Sequence, residues 1–195
     1  MEVVTYSLAD GGWVEFYPHW VTQATADDWL EKLQMECTWQ QEQSRGRVYP
    51  RLTCWQADLG VHYRYAGIPH QGVGWTATTN FIRTRLEATL PHRWNGVLLN
   101  WYRHGQDSMG YHADDEPEMG LNPTIGSVSL GSTRRFLLRH NTTRERLTFE
   151  LSHGSLLVMG GTCQHFWQHS IPKTKQNVTD RINLTFRKIV SRISV

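Results

Sequence analysis

The stretch RINLTFR, residues 181–187, decides how this chain is read. Arg181, Asn183, Thr185 and Arg187 alternate with Ile182, Leu184 and Phe186, so a period of two puts the polar side chains on one face of a strand and the apolar ones on the other. With the polar face in water, the two arginines would be an ordinary solvated edge. With that face lining the interior of a barrel, two guanidiniums would be buried, and each would require an anion. Arginine suits bidentate carboxylate binding, and a dicarboxylate charged at both ends would satisfy both.

Working outward, the chain from Gly96 onward consists of short apolar or alternating runs separated by turn residues: VLLNWYR (97–103), IGSVSLG (125–131), RRFLLRH (134–140), LTFELSHG (147–154) and SLLVMGG (155–161). This predicts an antiparallel β domain. In VLLNWYR, Asn100 and Tyr102 share one face and Leu99 and Trp101 the other, so an amide and a phenol could join the arginines in one pocket. The N-terminal third differs. Thr25 followed by Asp28 resembles a capping box opening a helix that runs to about Cys37, and Ile82, Leu86 and Leu90 mark a second helix stopped by Pro91. Strands after two helices suggest a mainly β, α+β architecture: a double-sheet jelly roll with helices packed outside.

At 195 residues, without an internal repeat or a linker-like stretch, the sequence is expected to form one domain, 1–195. No run approaches the roughly 20 apolar residues of a membrane span, so no membrane partner is expected. Three cysteines without a C-x-x-C pair argue against a disulfide framework or a structural zinc site. A formal net charge of +2 does not by itself imply a polyanionic partner, and clusters such as Arg134, Arg135 and Arg139 are ordinarily solvated. The first residues do not read as a secretory signal, so the expected location is intracellular: cytoplasmic in a bacterium, with the nucleus open in a eukaryote. A monomer is expected.

His112, Ala113 and Asp114 form an H-x-D in extended context, which brings His112 and Asp114 to one face. Two histidines and a carboxylate on one face of an octahedron leave positions open for a co-substrate and O₂, the ligand pattern of non-haem Fe(II) oxygenases. Alone, an H-x-D is more often a surface polar pair. The third ligand could be His153, His165 or His169; spacing favours His169, which a hairpin would bring near Arg181, whereas His153 reads as a turn residue and His165 as a packed one.

The ordered series NWYRHGQDSMGYHADDEP, SLGSTRRF, HGSLLVMGG, WQHSIP and RINLTFR resembles the AlkB family of oxidative dealkylases, over about Pro50 to Ile189. The resemblance implies a double-stranded β-helix core with an N-terminal nucleotide-recognition lid, here residues 38–75. It implies Fe(II) held by His112, Asp114 and His169, with 2-oxoglutarate and O₂ as co-substrates and Asn100, Tyr102, Arg181, Asn183 and Arg187 around the oxoglutarate. In the lid, PRLTCWQADLGVHYRYAG (50–67) matches the aromatic grip on a flipped base at Tyr63 and Tyr65, with Arg51 on the nucleic-acid backbone and Asp115 and Glu116 accepting from an exocyclic amino group. The implied activity is repair of 1-methyladenine and 3-methylcytosine in DNA, with RNA a second candidate substrate. The alternatives are a related oxygenase acting on a protein or small molecule, and a silent nucleic-acid-binding module; intact His112, Asp114 and His169 disfavour the latter.

One stretch departs from the family pattern. Members that work well on duplex DNA carry an apolar or aromatic wedge on a hairpin ahead of the lid, but residues 40–47 here, QQEQSRGR, are wholly polar. Single-stranded substrate is therefore expected to be handled at least as well as duplex, with Arg45 and Arg47 on phosphates; a Gln or Arg of the hairpin would intercalate only by giving up its hydration, and Trp39 beside it is the other candidate wedge.

Overall fold

The computed structural model describes residues 2–44, 46–65 and 67–190, and for Ser44, Arg47 and Tyr65 the backbone alone. In chain order come strands β1 (Val4–Ser7) and β2 (Gly12–Tyr17), helix α1 (Gln23–Glu36), the short strands β3 (Gln43–Ser44) and β4 (Arg47–Val48), and β5 (Leu52–Ala57). There follow β6 (His62–Tyr65), β7 (Ile68–Gln71), helix α2 (Ala77–Thr89), β8 (Gly96–Tyr102), β9 (Met109–His112) and β10 (Ile125–Gly131). The last third holds β11 (Arg134–His140), β12 (Arg146–Leu151), β13 (Ser155–Gly161), the one-turn helix α3 (Cys163–Phe166), β14 (Trp167–Ile171) and β15 (Arg181–Arg187).

Seven strands make the larger sheet, in the order β1-β2-β13-β10-β15-β8-β5, and four make the smaller, β12-β11-β14-β9. Every pairing is antiparallel. These two sheets form the jelly-roll core. β15 pairs with β10 on one edge and β8 on the other, the helices cover one of its faces and the smaller sheet stands over the other, and all seven of its residues are buried. The polar face of RINLTFR therefore lines the interior.

The two faces of the larger sheet carry separate cores. Outside, Leu99, Ile182, Leu184 and Phe186 pack with Trp29 and Leu33 of α1 and Ile82 and Leu86 of α2. Each such side chain contributes about 1.5–3 kcal/mol on full burial. Inside, toward the smaller sheet, Leu98 and Ile125 pack with Phe136, Leu138 and Trp167. Two hairpins, β3–β4 and β6–β7, stand apart from both sheets within the stretch 38–75. Among the described residues, no helix is long and apolar enough to cross a membrane.

The helices differ from expectation at one end. α1 starts at Gln23 with Thr22 as its N-cap, the Thr22 hydroxyl accepting the Thr25 N–H at 3.3 Å, so Thr25 is the third helical residue rather than the cap. Thr25 with Asp28 matches the capping box and Thr22 does not; the cap falls at Thr22, where the chain enters past the buried Trp20 and Val21. α2 ends at Thr89, with Leu90 its C-cap directly before Pro91.

Candidate active site

β9 and β14 are neighbours in the smaller sheet, and their register sets His112 directly opposite His169. The two rings lie 4.2 Å apart between centroids. Asp114, two residues beyond His112, is fully buried, and its backbone N–H donates to Gln164 Oε1 at 2.9 Å. One ligand atom from each of His112, Asp114 and His169 falls within 4.8 Å of the others. The other histidines considered lie elsewhere in the hydrogen-bond network. His153 joins Gly131 and Asp27, and His165 contacts Asn122.

Local contacts fix these side chains. His112 Nδ1 lies 2.9 Å from Gly110 O; donating there leaves the Nε2 lone pair available for a ligand. His169 stacks on Phe136 at 5.2 Å. Burial first, then His112, pulls His169 down to about 3, and burial also lowers His112. Burial works against the Asp114 charge, but Arg187, then His169 and His112, outweigh it and hold the carboxyl below its ordinary range. Neutral imidazoles beside an ionised carboxylate are in the protonation state that metal ligation requires. Asp114 Oδ2 is buried and has no hydrogen-bond donor among the described residues. Such an oxygen fits a cation, and the donor set suits Fe(II).

Across the interior, the β8–β15 register pairs Arg181 with Tyr102 and Asn183 with Asn100. A narrow cavity is lined by the triad together with Asn100, Tyr102 and Asn183. Arg181 is 1% exposed and donates from Nη2 to Ser129 Oγ at 2.9 Å, while Nε and Nη1 are buried without a well-formed acceptor among the described residues. Burial, with Arg134 adding to it, pulls this guanidinium down to about 10, and both arginines sit over the Tyr102 ring. A buried cation beside another cation calls for an anion, and a carboxylate of 2-oxoglutarate fits that place. Asn183 Nδ2 is engaged with Ser127 Oγ and Val128 O, both at 2.9 Å. Arg187 donates from Nη2 to Asp114 Oδ1 at 2.6 Å, which orients the carboxylate.

At the mouth, Tyr63 stacks on Trp55 at 5.0 Å on one side, and Arg187 lies 5.5 Å from its ring. Tyr63 and Glu116 face each other, and burial together with Asp114 pushes the Glu116 carboxyl above its ordinary range. Asp115 is exposed. The Tyr65 side chain, Arg45 and the Arg47 side chain lie outside the described residues. Arg51, expected on a nucleic-acid backbone, is instead 4% exposed and turned inward, donating from Nε to Asn100 Oδ1 at 2.6 Å. The β5–β8 register explains this inward placement, since it sets Thr53 opposite Asn100 and Arg51 two residues before it. Arg134 likewise is buried rather than solvated, donating to the carbonyls of Asp107 and Pro172.

Four residues near the site carry weak sequence signals or none. Ser127 and Ser129 were legible as the alternating polar positions of IGSVSLG. Gln164, on α3, had no local signature. Trp55 read as one aromatic among nine tryptophans; its ring covers Gly96, where a Cβ would come within 2.6 Å.

The sequence model of the 2OG-Fe(II) oxygenase superfamily matches residues 14–187. Alpha-ketoglutarate-dependent dioxygenase alkB homolog 3 of Mus musculus is 37% identical over 191 residues, covering 89% of this chain and 65% of the relative. DNA oxidative demethylase ALKBH2 of Bos taurus is 37% identical over 149 residues, covering 72% of this chain and 54% of the relative. The chain thus spans less than two thirds of the length of these curated relatives. A solved structure described as "The structure of OsALKBH1" superposes with a TM-score of 0.66 at 16% identity, over 90% of this chain and 97% of that one, and speaks to the fold alone. By the superfamily match over nearly its whole length and by these relatives, the chain belongs to the 2OG-Fe(II) oxygenase superfamily, in its AlkB branch.

Proposed function

We propose that this protein is an oxidative dealkylase of N-alkylated nucleobases, with 1-methyladenine and 3-methylcytosine as substrates. The observation that carries this reading is a His112–Asp114–His169 cluster, half-buried at His112 and buried at the other two, with the anion-demanding Arg181 on the facing sheet and the Trp55–Tyr63 stack beside Arg187. The relatives' names, a dioxygenase and a DNA oxidative demethylase, support nucleic acid as the substrate class. When bound, Fe(II), 2-oxoglutarate and O₂ supply the oxidation of the alkyl carbon.

The chain's own residues do the rest. His112, Asp114 and His169 would hold the metal, and Arg187 would orient Asp114 toward it. Arg181, with Tyr102 and Asn100, would fix the co-substrate, while Asn183 holds β15 to β10. Trp55 and Tyr63 are stacked on each other and buried, so an extruded base would stack on them once that pair parts, at about 1–3 kcal/mol per base. The ionised Asp114, with Glu116 and Asp115 close in sequence, suits the positive charge of 1-methyladenine or 3-methylcytosine. The hydroxylated alkyl group then leaves as an aldehyde, formaldehyde for a methyl lesion, and restores the base. We propose further that the enzyme works as a monomer and accepts single strands at least as well as duplex.

The test is incubation with an oligonucleotide carrying one 1-methyladenine, Fe(II) and 2-oxoglutarate. Formaldehyde and unmodified adenine are expected. The absence of both would overturn the reading and leave an oxygenase of a protein or small molecule.

A further inference from the structure

Beyond the Trp55–Tyr63 stack lies a second cavity, of about 640 Å³, lined by Gln40 and Glu42 on one side, the edge of β5 behind, and His70, Gln71 and Trp75 on the other. Its volume is in the range of a small-molecule site. Both lid hairpins contribute to it, since Glu42 directly precedes β3 and His70 lies in β7.

Three polar atoms of its lining lack partners among the described residues. Glu42 and His70 have side chains 10% and 11% exposed and approach at 3.5 Å, beyond a good hydrogen bond. Glu42 Oε2, His70 Nε2 and Trp55 Nε1 are all buried without a hydrogen-bond partner among the described residues. The backbone repeats the pattern. Thr53 exchanges both its hydrogen bonds with Gln40, and Ala57 O accepts Gly74 N–H, so strand alternation turns the Trp55 N–H and C=O toward the gap between these bridges. A nine-tenths buried carboxylate oxygen without a donor is costly, and a turn of the Glu42 carboxylate out of its loose 3.5 Å contact with His70 into the cavity, to meet a ligand that brings donors, removes that cost.

We propose that this cavity takes a guanine base from the nucleotide adjoining the flipped lesion, an inference that rests on the dealkylase reading above. A carboxylate accepts two parallel donors, and guanine offers N1–H and N2–H side by side on one edge. Adenine and cytosine offer a single amino group there, and thymine an N–H flanked by carbonyls that the carboxylate repels. Unstacked bases are read on such edges while held against aromatic rings, and Trp55 and Trp75 both line the cavity. The position fits an adjoining nucleotide: Trp55, which lines the cavity, stacks on Tyr63, and Arg187 over the Tyr63 ring bonds to Asp114.

The test is kcat/KM on single-stranded oligonucleotides bearing one 1-methyladenine, with each of the four bases on its 5′ or its 3′ side. Guanine on one side is expected to exceed thymine by about tenfold, the discrimination of a good bidentate contact. Glu42→Gln is expected to flatten that preference while leaving the thymine-flanked rate unchanged. In parallel, saturation-transfer NMR on the wild-type chain is expected to detect 5′-GMP but not 5′-TMP. Efficient repair that ignores the flanking base, with no GMP signal, would overturn the inference and leave the dealkylase reading standing. Failure to repair any of the oligonucleotides would instead overturn that reading, and the inference with it.

Discussion

Asp114 serves two partners at once. Oδ1 accepts Arg187 Nη2 at 2.6 Å, and Oδ2 lies 3.8 Å from His169 Nε2. Alanine at His112, Asp114 or His169 is expected to abolish turnover, because each variant leaves two ligands of three. The three should differ in stability. Removing Asp114 takes away the anion beside a guanidinium that is 1% exposed, a loss of up to about 3–5 kcal/mol when a buried pair is broken. Thermal unfolding in the presence of a chelator should therefore give Asp114→Ala the lowest Tm; equal midpoints for all three would show that Arg187 is held by other contacts. Arg181→Ala isolates the co-substrate. Charge-assisted hydrogen bonds are worth about 1.5–3 kcal/mol, so the 2-oxoglutarate requirement should rise roughly tenfold to a hundredfold. Metal affinity, measured separately, should hold, since Arg181 contacts none of the three ligands. An unchanged KM for 2-oxoglutarate would remove Arg181 from that role.

Elements are joined by contacts that no local pattern announces. Glu36, the last residue of α1, accepts the Thr78 N–H at 3.2 Å and the Thr78 hydroxyl at 2.8 Å, so one helix end caps the start of the other. Burial opposes its charge, but these hydrogen bonds prevail and lower the carboxyl from 4.5. The sign follows from linkage: a depressed folded pKa gives stability that is present above 4.5 and lost as pH falls through the folded value. Glu36→Ala should cost about 1 kcal/mol at neutral pH, discounted for an exposed site, with the difference from wild type shrinking as pH drops below 4.5. Urea titrations at pH 7 and pH 3.5 would check this, and a difference that does not shrink would assign the effect to packing. What was legible in the sequence was periodicity. RINLTFR and VLLNWYR alternate so strictly that their faces could be read directly, and Leu90–Pro91 marked the end of α2. Arg51, Arg134 and Gln164 were not legible, because their partners, Asn100 on β8, Pro172 just after β14 and Asp114 just after β9, are distant in sequence. Capping at Thr22 rather than Thr25 turned on where the incoming chain is buried, which a local motif does not encode.

At the scale of the whole molecule, the question is what fills the gap when a base leaves its stack. Extruding a base from a duplex costs a few kcal/mol, and an apolar side chain inserted in its place offsets part of that cost. The hairpin β3–β4 and its approach are polar apart from Val48, which is 57% exposed but small. Trp39 and Tyr49 flank the hairpin, and both are committed elsewhere: the Trp39 ring meets Trp101 edge-on at 5.1 Å and packs against the helix-side core, and Tyr49 packs against the inner core with Arg51 over its ring. Withdrawing either would expose the core it packs against. The cost of opening a duplex therefore falls on the substrate, and an already open strand avoids it. For one 1-methyladenine in matched oligonucleotides, kcat/KM on the single strand should equal or exceed that on the duplex. A mismatch placed opposite the lesion should restore most of any duplex deficit, because it lowers the unpairing cost without changing the contacts to the enzyme. A deficit that the mismatch does not relieve would place the barrier in docking the duplex rather than in opening it. A clear preference for the fully paired duplex would mean that some side chain of the hairpin intercalates despite its polarity, and Trp39→Ala, measured on both substrates, would tell whether Trp39 is that side chain.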